Sequence, residues 1–498
     1  MSIITGLLAV AAVCAIDTAF TAAPAADTSA TVISLEKAIE IALSENVAVK
    51  VADREIERAQ YARRGSYASL FPQIDASGSF QRTIEKQVMY MDGDSFDFGS
   101  MIGETLVTYL APLYGLHGIS IPDPGAGSTG GGSSSSASDE GFAVGRWNTW
   151  STGVSAMMPL VNVQLWESLK ISGQDVELAV EKARNSRLEM VTQVKQAYYS
   201  VLLAKEANSV YRGVYDNALA NFNRVQMRYD VRKASDLELA RAATTLANAI
   251  PNLYDSDNAI ILALWQLKAV MGIDLDENID VEGTLDDYAE TMGILYGDDE
   301  LGLDRNSVMR QLAIQAEELA TAVRVQEFAC LPSLAVSFTY NYMAMTNDFK
   351  FSEYKWTPYS YVGLSLNIPI FAGGKRASNI KAARLQQGEL DLQRANTERQ
   401  LRIAIRQYLG TMETAMKSYD AAVKAAEAAQ KAYDITQQSY EIGGATLTDL
   451  NDAQLALVQS KLAVSQGVFN FLTAKSNLEQ TLGLDYEAAE SYPSDNQQ

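Results

Sequence analysis

The sequence predicts a mainly α fold with a smaller β part, built as an internal two-fold repeat of long helical hairpins, each preceded by a pair of strands. Three observations carry this. Two polar joints, "YDVRKASDLELARAA" at 229–243 and "YEIGGATLTDLNDAQ" at 440–454, lie 211 residues apart between helical patterns rich in alanine and glutamine. The segments leading into them, about 163–228 and 375–438, contain no proline and are dominated by good helix formers. Ahead of each lie stretches in which apolar and small polar residues alternate with period two, as in strands with one greasy and one wet face.

Composition narrows the function classes. The chain has 498 residues and a formal charge of −21, a balance that opposes phosphate recognition, so no nucleic-acid partner is expected. His117 is the single histidine, and Cys14 and Cys330 are the two cysteines. These are too few for a transition-metal cluster, a Cys/His nucleophile pair or a disulfide framework. No enzyme class is indicated.

The elements follow from the N-terminus. "IITGLLAVAAVCAI" (3–16) with Ala23-Pro24-Ala25 reads as a signal peptide over 1–25. Val13 before Cys14 spoils a lipoprotein box, so export without lipidation is expected. The first repeat, 26–273, holds a helix, strands at about 73–81 and 149–161, and a hairpin; the second, 304–485, holds a helix, strands at about 333–342 and 359–371, and a hairpin. An acidic linker, 274–303, joins them, and 486–498 reads as a mobile tail. The connection 82–146 contains "PDPGAGSTGGGSSSSASDEG", which cannot bury enough apolar surface to order itself.

The returning helices carry a heptad stripe: Leu450, Leu457, Val464, Phe471 and Leu478, matched by Leu239, Leu246, Leu253, Ile260 and Leu267. Beside it runs a stripe of small residues, Ala453, Ser460, Gly467, Ala474 and Thr481 against Ala242, Ala249, Ser256 and Ala263, so helices can lie close along their length. A plain soluble coiled coil would show the same stripe. Pro251 predicts a kink or an unwound turn. Gly443 and Gly444 are expected to supply the positive φ that ends one helix and turns into the next. Arg232 and Lys233 stand at the equivalent places, which predicts a different geometry for the first joint.

Each strand has an apolar side: Ile74, Ala76 and Phe80; Trp150, Val154, Ala156 and Met158; Leu334, Val336, Phe338, Tyr340 and Tyr342; Val362, Leu364, Leu366, Ile368 and Ile370. That side faces lipid or a core. Four strands cannot close a transmembrane barrel alone, and an open edge cannot face hydrocarbon, so a membrane position requires protomers that pool their strands. The alternative is an exported coiled-coil scaffold of the periplasm that stays out of the membrane.

The exported start, "SLEKAIEIALSENVAVK" (34–50) leading to "LFPQI" (70–74), the proline-punctuated strand ends, "IPIFAGGKR" (368–376) and "YEIGGATLTDLNDAQ" together resemble the TolC family of outer-membrane efflux proteins. The resemblance implies a homotrimer with a 12-stranded transmembrane β-barrel in outer-membrane lipid, set on a 12-helix α-barrel tunnel through the periplasm of a Gram-negative bacterium. It implies no catalysis and no cofactor. Partners would be a periplasmic adaptor protein and an inner-membrane transporter, in a tripartite efflux or type I secretion system. Residues 274–303 would be the equatorial segment.

The resemblance also assigns the joints to the periplasmic gate, with Tyr440, Asp449 and Asp452 as closing residues and Glu238 as the acceptor of the Tyr440 hydrogen bond. The arginine expected five residues after the tyrosine is Ala445 here, leaving Arg241 and Lys233 as candidate cations. Three copies of Asp449 and Asp452 would form like-charge rings that attract cations, and their mutual repulsion is expected to raise some of their pKa values. N-capping is the structural alternative for this pair.

Overall fold

The computed structural model describes residues 31–89, 142–290, 292–293 and 302–484. The signal peptide, the C-terminal tail and most of the loop 82–146 lie outside them. The elements in order are β1 (Thr31–Ile33), α1 (Leu35–Glu45), α2 (Val47–Ala68), β2 (Gln73–Arg82), β3 (Gln87–Met89), β4 (Phe142–Val144), β5 (Asn148–Val161), α3 (Val163–Asp230) and α4 (Asp236–Met271). After these come β6 (Ile279–Val281), α5 (Leu285–Ala289), α6 (Ser307–Phe328), β7 (Ser333–Thr346), β8 (Thr357–Asn367), α7 (Lys375–Glu441) and α8 (Leu447–Leu482). They form two compact units, a β unit of residues 65–166 and 328–373 and a helical unit from the rest.

In the β unit, one antiparallel sheet runs β2-β5-β7-β8. Its register aligns Ile74 with Ala156, Ala156 with Phe338 and Phe338 with Val362, so the four apolar sets read from period two share one face. That face is uncovered: Ile74, Val362 and Leu364 are each 71% exposed. The other face carries Ser77, Gly153 and Asn341 in a row. Gly153 is required there, because a Cβ would sit 2.6 Å from the Tyr340 carbonyl oxygen. Pro159 lies in an inner strand, where its missing N–H coincides with a register shift between Pro159 and Val161. β8 stops at Asn367 rather than 371: Asn367 pairs with Ser333, the first residue of β7, and residues 368–371 have no ladder left to join. β2 and β8 form the two edges, each with one neighbour among the described residues.

In the helical unit, α3 and α7 run unbroken for 68 and 67 residues. Gly388 and Gly410 are absorbed without a break. α4 also stays helical through Pro251, so the unwound turn does not form. The carbonyl that loses its partner belongs to Ala247, an exposed residue. The two returning helices end alike. Gly272 and Gly483 adopt φ of 77° and 68°, each amide bonding the carbonyl three residues back while the next amide bonds five back.

The repeat is less exact in packing than in pattern. In α8 the large stripe is buried at Leu450, Leu457, Phe471 and Leu478, and Gly467 lets α7 approach so closely that a Cβ would stand 3.2 Å from the Tyr419 side chain. In α4 the small stripe Ala242, Ala249, Ser256 and Ala263 is buried together with Leu267 of the large one, and α3 meets it through polar bonds from Asn208 to Ser256 (2.9 Å) and Asp257 (2.7 Å). One pairing was not anticipated: β1 lies parallel to β6. Tyr198 locks this pair by donating to the carbonyls of Ile33 (3.2 Å) and Glu282 (2.6 Å), and burial pushes its phenol up to about 12.

Candidate functional site at the helical joints

Both joints have the same backbone, contrary to the different geometry expected for Arg232 and Lys233. Arg232 takes φ of 60° and Gly443 takes 82° at the same repeat position. The Arg232 amide bonds the Tyr229 carbonyl at 2.8 Å and the Lys233 amide that of Arg228 at 2.7 Å; Gly443 bonds Tyr440 at 3.1 Å and Gly444 bonds Ser439 at 2.7 Å. The four bonds enclose the last helical carbonyls identically in each joint. A side chain at φ near +60° is strained by about 1–2 kcal/mol, so the first joint holds this turn at a cost that the second avoids. Gly444, expected to share the positive φ, does not adopt it.

Two residues further on, each joint starts its next helix with a capping box. Ser235 accepts from the Glu238 amide at 3.2 Å while the Glu238 carboxylate accepts from the Ser235 amide at 2.9 Å. Thr446 and Asp449 repeat this at 3.2 and 2.8 Å, with the Thr446 hydroxyl also donating to Asp449 at 2.7 Å. S-x-x-E and T-x-x-D at equivalent places are legible in sequence as helix starts, so Ser235 and Thr446 could have been named there. The Thr446 hydroxyl and amide hold the Asp449 carboxyl below its ordinary value, the reverse of the upward shift expected from ring repulsion. Asp452 is exposed one turn further along the helix.

Tyr440 is buried, 6% exposed, whereas its counterpart Tyr229 is 37% exposed and donates to Asp236. Tyr440 belongs to a cluster with Val225, Ala242, Tyr433, Leu447, Leu450 and Leu457, which draws on both hairpins. Ala445, where the resemblance expected an arginine, packs against that cluster. The Tyr440–Glu238 hydrogen bond is not formed within the protomer; the Glu238 carboxylate accepts from the Ser235 amide through one oxygen. The Asn221 amide lies against the phenol instead. Burial raises the Tyr440 pKa, Arg228 opposes the rise, and Glu238 adds to it. Positive charge at the joint therefore comes from Arg228 and from Arg224, which pairs with Glu441 across the hairpins at 3.1 Å. Among the described residues Arg241 and Lys233 form no ion pair within the protomer. Asn451 adds a bond to Thr245 at 3.3 Å, joining α8 to α4.

Comparison with known proteins bears on what such joints belong to. The sequence profile described as outer membrane efflux protein matches residues 126–273 and 300–484. The chain belongs to the outer membrane efflux protein family. Outer membrane protein TolC of Escherichia coli (strain K12) is 22% identical over 350 residues, covering 68% of this chain and 70% of TolC. The Campylobacter jejuni CmeC outer membrane channel superposes with a TM-score of 0.64 at 18% identity over 90% of this chain and 85% of CmeC. CusC gives 0.66 at 14% identity over 93% and 96%. At these identities the structural likeness is one of fold, and it extends over both the strands and the long helices of this efflux-family chain.

Proposed function

We propose that this efflux-family protein is the trimeric exit duct of a tripartite efflux or type I secretion system, a passive conduit in which no bond is made or broken. The observation that carries it is the sheet: one face apolar and uncovered, and two edges, β2 and β8, without outer neighbours among the described residues. Bare edges cannot stand in hydrocarbon. Three protomers joining β2 of one to β8 of the next close a 12-stranded barrel, which removes every edge, and their hairpins assemble the tunnel below it. The repeats 26–273 and 304–485 are its quasi-equivalent staves. A periplasmic adaptor and an inner-membrane transporter supply cargo and energy.

The joints close the periplasmic end. Tyr440 and its cluster hold the two hairpin tips together, and three copies of Asp449 and Asp452 make the aperture cation-selective. Cysteines introduced along β2 and β8, with Cys330 replaced by serine, test the assembly: disulfide-linked trimers are expected in outer-membrane fractions. A monodisperse single-chain species soluble without detergent would overturn it. For the aperture, unchanged ion selectivity in single-channel recordings of a protein carrying both Asp449→Ala and Asp452→Ala would remove the ring assignment.

A further inference from the structure

The polar face of the four-stranded sheet carries a single charge. Asp75 and Arg82 are the charged residues of the four strands. Arg82 stands opposite Asn148, two positions along from the Phe80–Trp150 pair and therefore on the apolar side. Asp75 stands opposite Ser155, which aligns with Thr339 and then with Tyr361, so one level of the polar face presents a carboxylate and three hydroxyls across the four strands. The neighbouring polar groups close on one another: Ser151 donates to the Asn341 side-chain oxygen at 3.1 Å, and the Asn341 side-chain nitrogen donates to Tyr359 at 3.0 Å. Asp75 is exposed, and no side chain among the described residues bonds or pairs with it.

The rest of the β unit supplies no counter-ion at that level. Its other charges lie in the connections 82–147 and 347–356, at the Arg82 end of the strands, where five cations meet ten carboxylates. Arg82, the first of them along β2, is seven residues beyond Asp75. At ~3.3 Å per residue that is ~23 Å, more than twice the screening length of ~10 Å in 0.1 M salt.

We propose that Asp75 selects cations in the barrel segment of the channel, as a ring of three carboxylates on an otherwise neutral, hydroxyl-lined wall, separately from the helical joints. This rests on the trimeric barrel proposed above. Twelve strands ~4.8 Å apart and tilted ~40° enclose a backbone radius of ~12 Å, and a side chain reaching ~4 Å inward leaves each carboxylate ~8 Å from the axis. A cation on the axis keeps its water, so selection there is electrostatic rather than coordinative. Three such charges, screened over ~10 Å at 0.1 M salt, concentrate monovalent cations on the axis about threefold and deplete anions by the same factor, a cation-to-anion ratio of about ten; screened over ~3 Å at 1 M, the ratio falls below about two.

Reversal potentials of single channels in potassium chloride gradients test this, starting from the full-length protein carrying Asp449→Ala and Asp452→Ala, so that the joint carboxylates do not contribute. These channels are expected to prefer potassium over chloride near ~0.1 M salt and to lose most of that preference near ~1 M. Adding Asp75→Asn should lower the preference at least about threefold, Asp75→Glu should keep it, and Asp75→Lys should turn it toward chloride. Asp75→Cys with Cys330→Ser, modified in the open channel by a positively charged thiosulfonate, makes the same change after assembly and should likewise lower the preference, whatever Asp75→Asn does to folding. A carboxylate on an edge strand also discourages aggregation. If Asp75→Asn only aggregates more while its assembled channels keep the preference, if cysteine modification leaves the preference unchanged, or if the joint variant already has none near ~0.1 M, the assignment of Asp75 is overturned. Absence of channels from the unmodified protein would instead overturn the barrel.

Discussion

Replacing Tyr440 by alanine decides whether packing or charge holds the hairpin tips together. The ring is buried among side chains from both hairpins, and truncating a buried aromatic costs about 3 kcal/mol at the low end of its range. The Arg224–Glu441 pair at 3.1 Å links the same tips, but its side chains are 39% and 44% exposed. Solvent screening then limits it to ~0.5 kcal/mol. In the proposed trimer, losing the ion pair in all three protomers shifts the open-to-closed ratio by about tenfold, at ~1.4 kcal/mol per factor of ten; losing even one Tyr440 ring shifts it by ~100-fold. Planar-bilayer conductance of purified trimers is the assay, with trimer integrity on unheated gels as the check against unfolding. Tyr440→Ala should show long open states, and Arg224→Gln should resemble the milder Tyr440→Phe, which keeps the ring and loses only the Asn221 contact. Raising salt from 0.1 to 1 M shortens the screening length from ~10 to ~3 Å and should reproduce Arg224→Gln in the unmodified channel without touching Tyr440→Ala. If Arg224→Gln opens the channel as far as Tyr440→Ala, or salt alone does, the packing argument is wrong.

Other consequences are open to measurement. Arg232→Gly relieves the positive-φ strain of the first joint and should stabilise it by ~0.5–1 kcal/mol after the entropy cost of glycine, read as a roughly two- to fivefold slowing of exchange at the Lys233 amide. Gly443→Ala has open space around the new Cβ and should cost ~1 kcal/mol, whereas Gly483→Ala places it 2.5 Å from the Arg305 carbonyl oxygen and should lower the melting temperature markedly more. Because hydrogen bonds from Thr446 depress the Asp449 pKa, the second capping box should be intact above the ordinary carboxylate value of ~3.9 and lost only as pH falls through the lower folded value; early protection loss at the Thr446 amide, already complete near pH 5, would contradict it. Tyr198 has the opposite sign: its phenol stays protonated in the fold up to about 12, so stability present below pH ~10 should decline between ~10 and ~12. Tyr198→Phe should abolish that decline and cost ~1 kcal/mol by removing the bonds to the Ile33 and Glu282 carbonyls, of which Ile33 keeps the Glu282 amide as donor, measured by alkaline melting.

What could be read from the sequence was what repeats at a fixed period. Alternation assigned Ile74, Val154, Phe338 and Val362 to the apolar side of their strands without knowledge of the partners, because a pleated strand has only two faces; the register then had one solution that kept all four sets together. The heptads fared less well. Large and small stripes are adjacent on the same helix surface, and which one is buried depends on how near the neighbour comes, a tertiary quantity. Gly467 admits Tyr419 closely, and α8 buries Leu450, Leu457, Phe471 and Leu478 beside Gly467 and Ala474; no glycine stands at the matching Ser256, and α4 buries its small stripe, with only Leu267 of the large one, against Asn208. The joints show the converse error. Residue identity at 232 and 443 predicted different turns, since arginine resists positive φ, yet each turn is fixed by the helix end before it and the capping box after it, whose combined bonds outweigh a strain of ~1–2 kcal/mol. Glu238 illustrates the same competition: a carboxylate three residues after Ser235 is captured by the local amide, and the longer reach to Tyr440 is left to Asn221 and the cluster around the ring. In the proposed channel a tip built this way is closed by burial and shaped by capping, so its opening should respond to substitutions in the apolar cluster before it responds to charge.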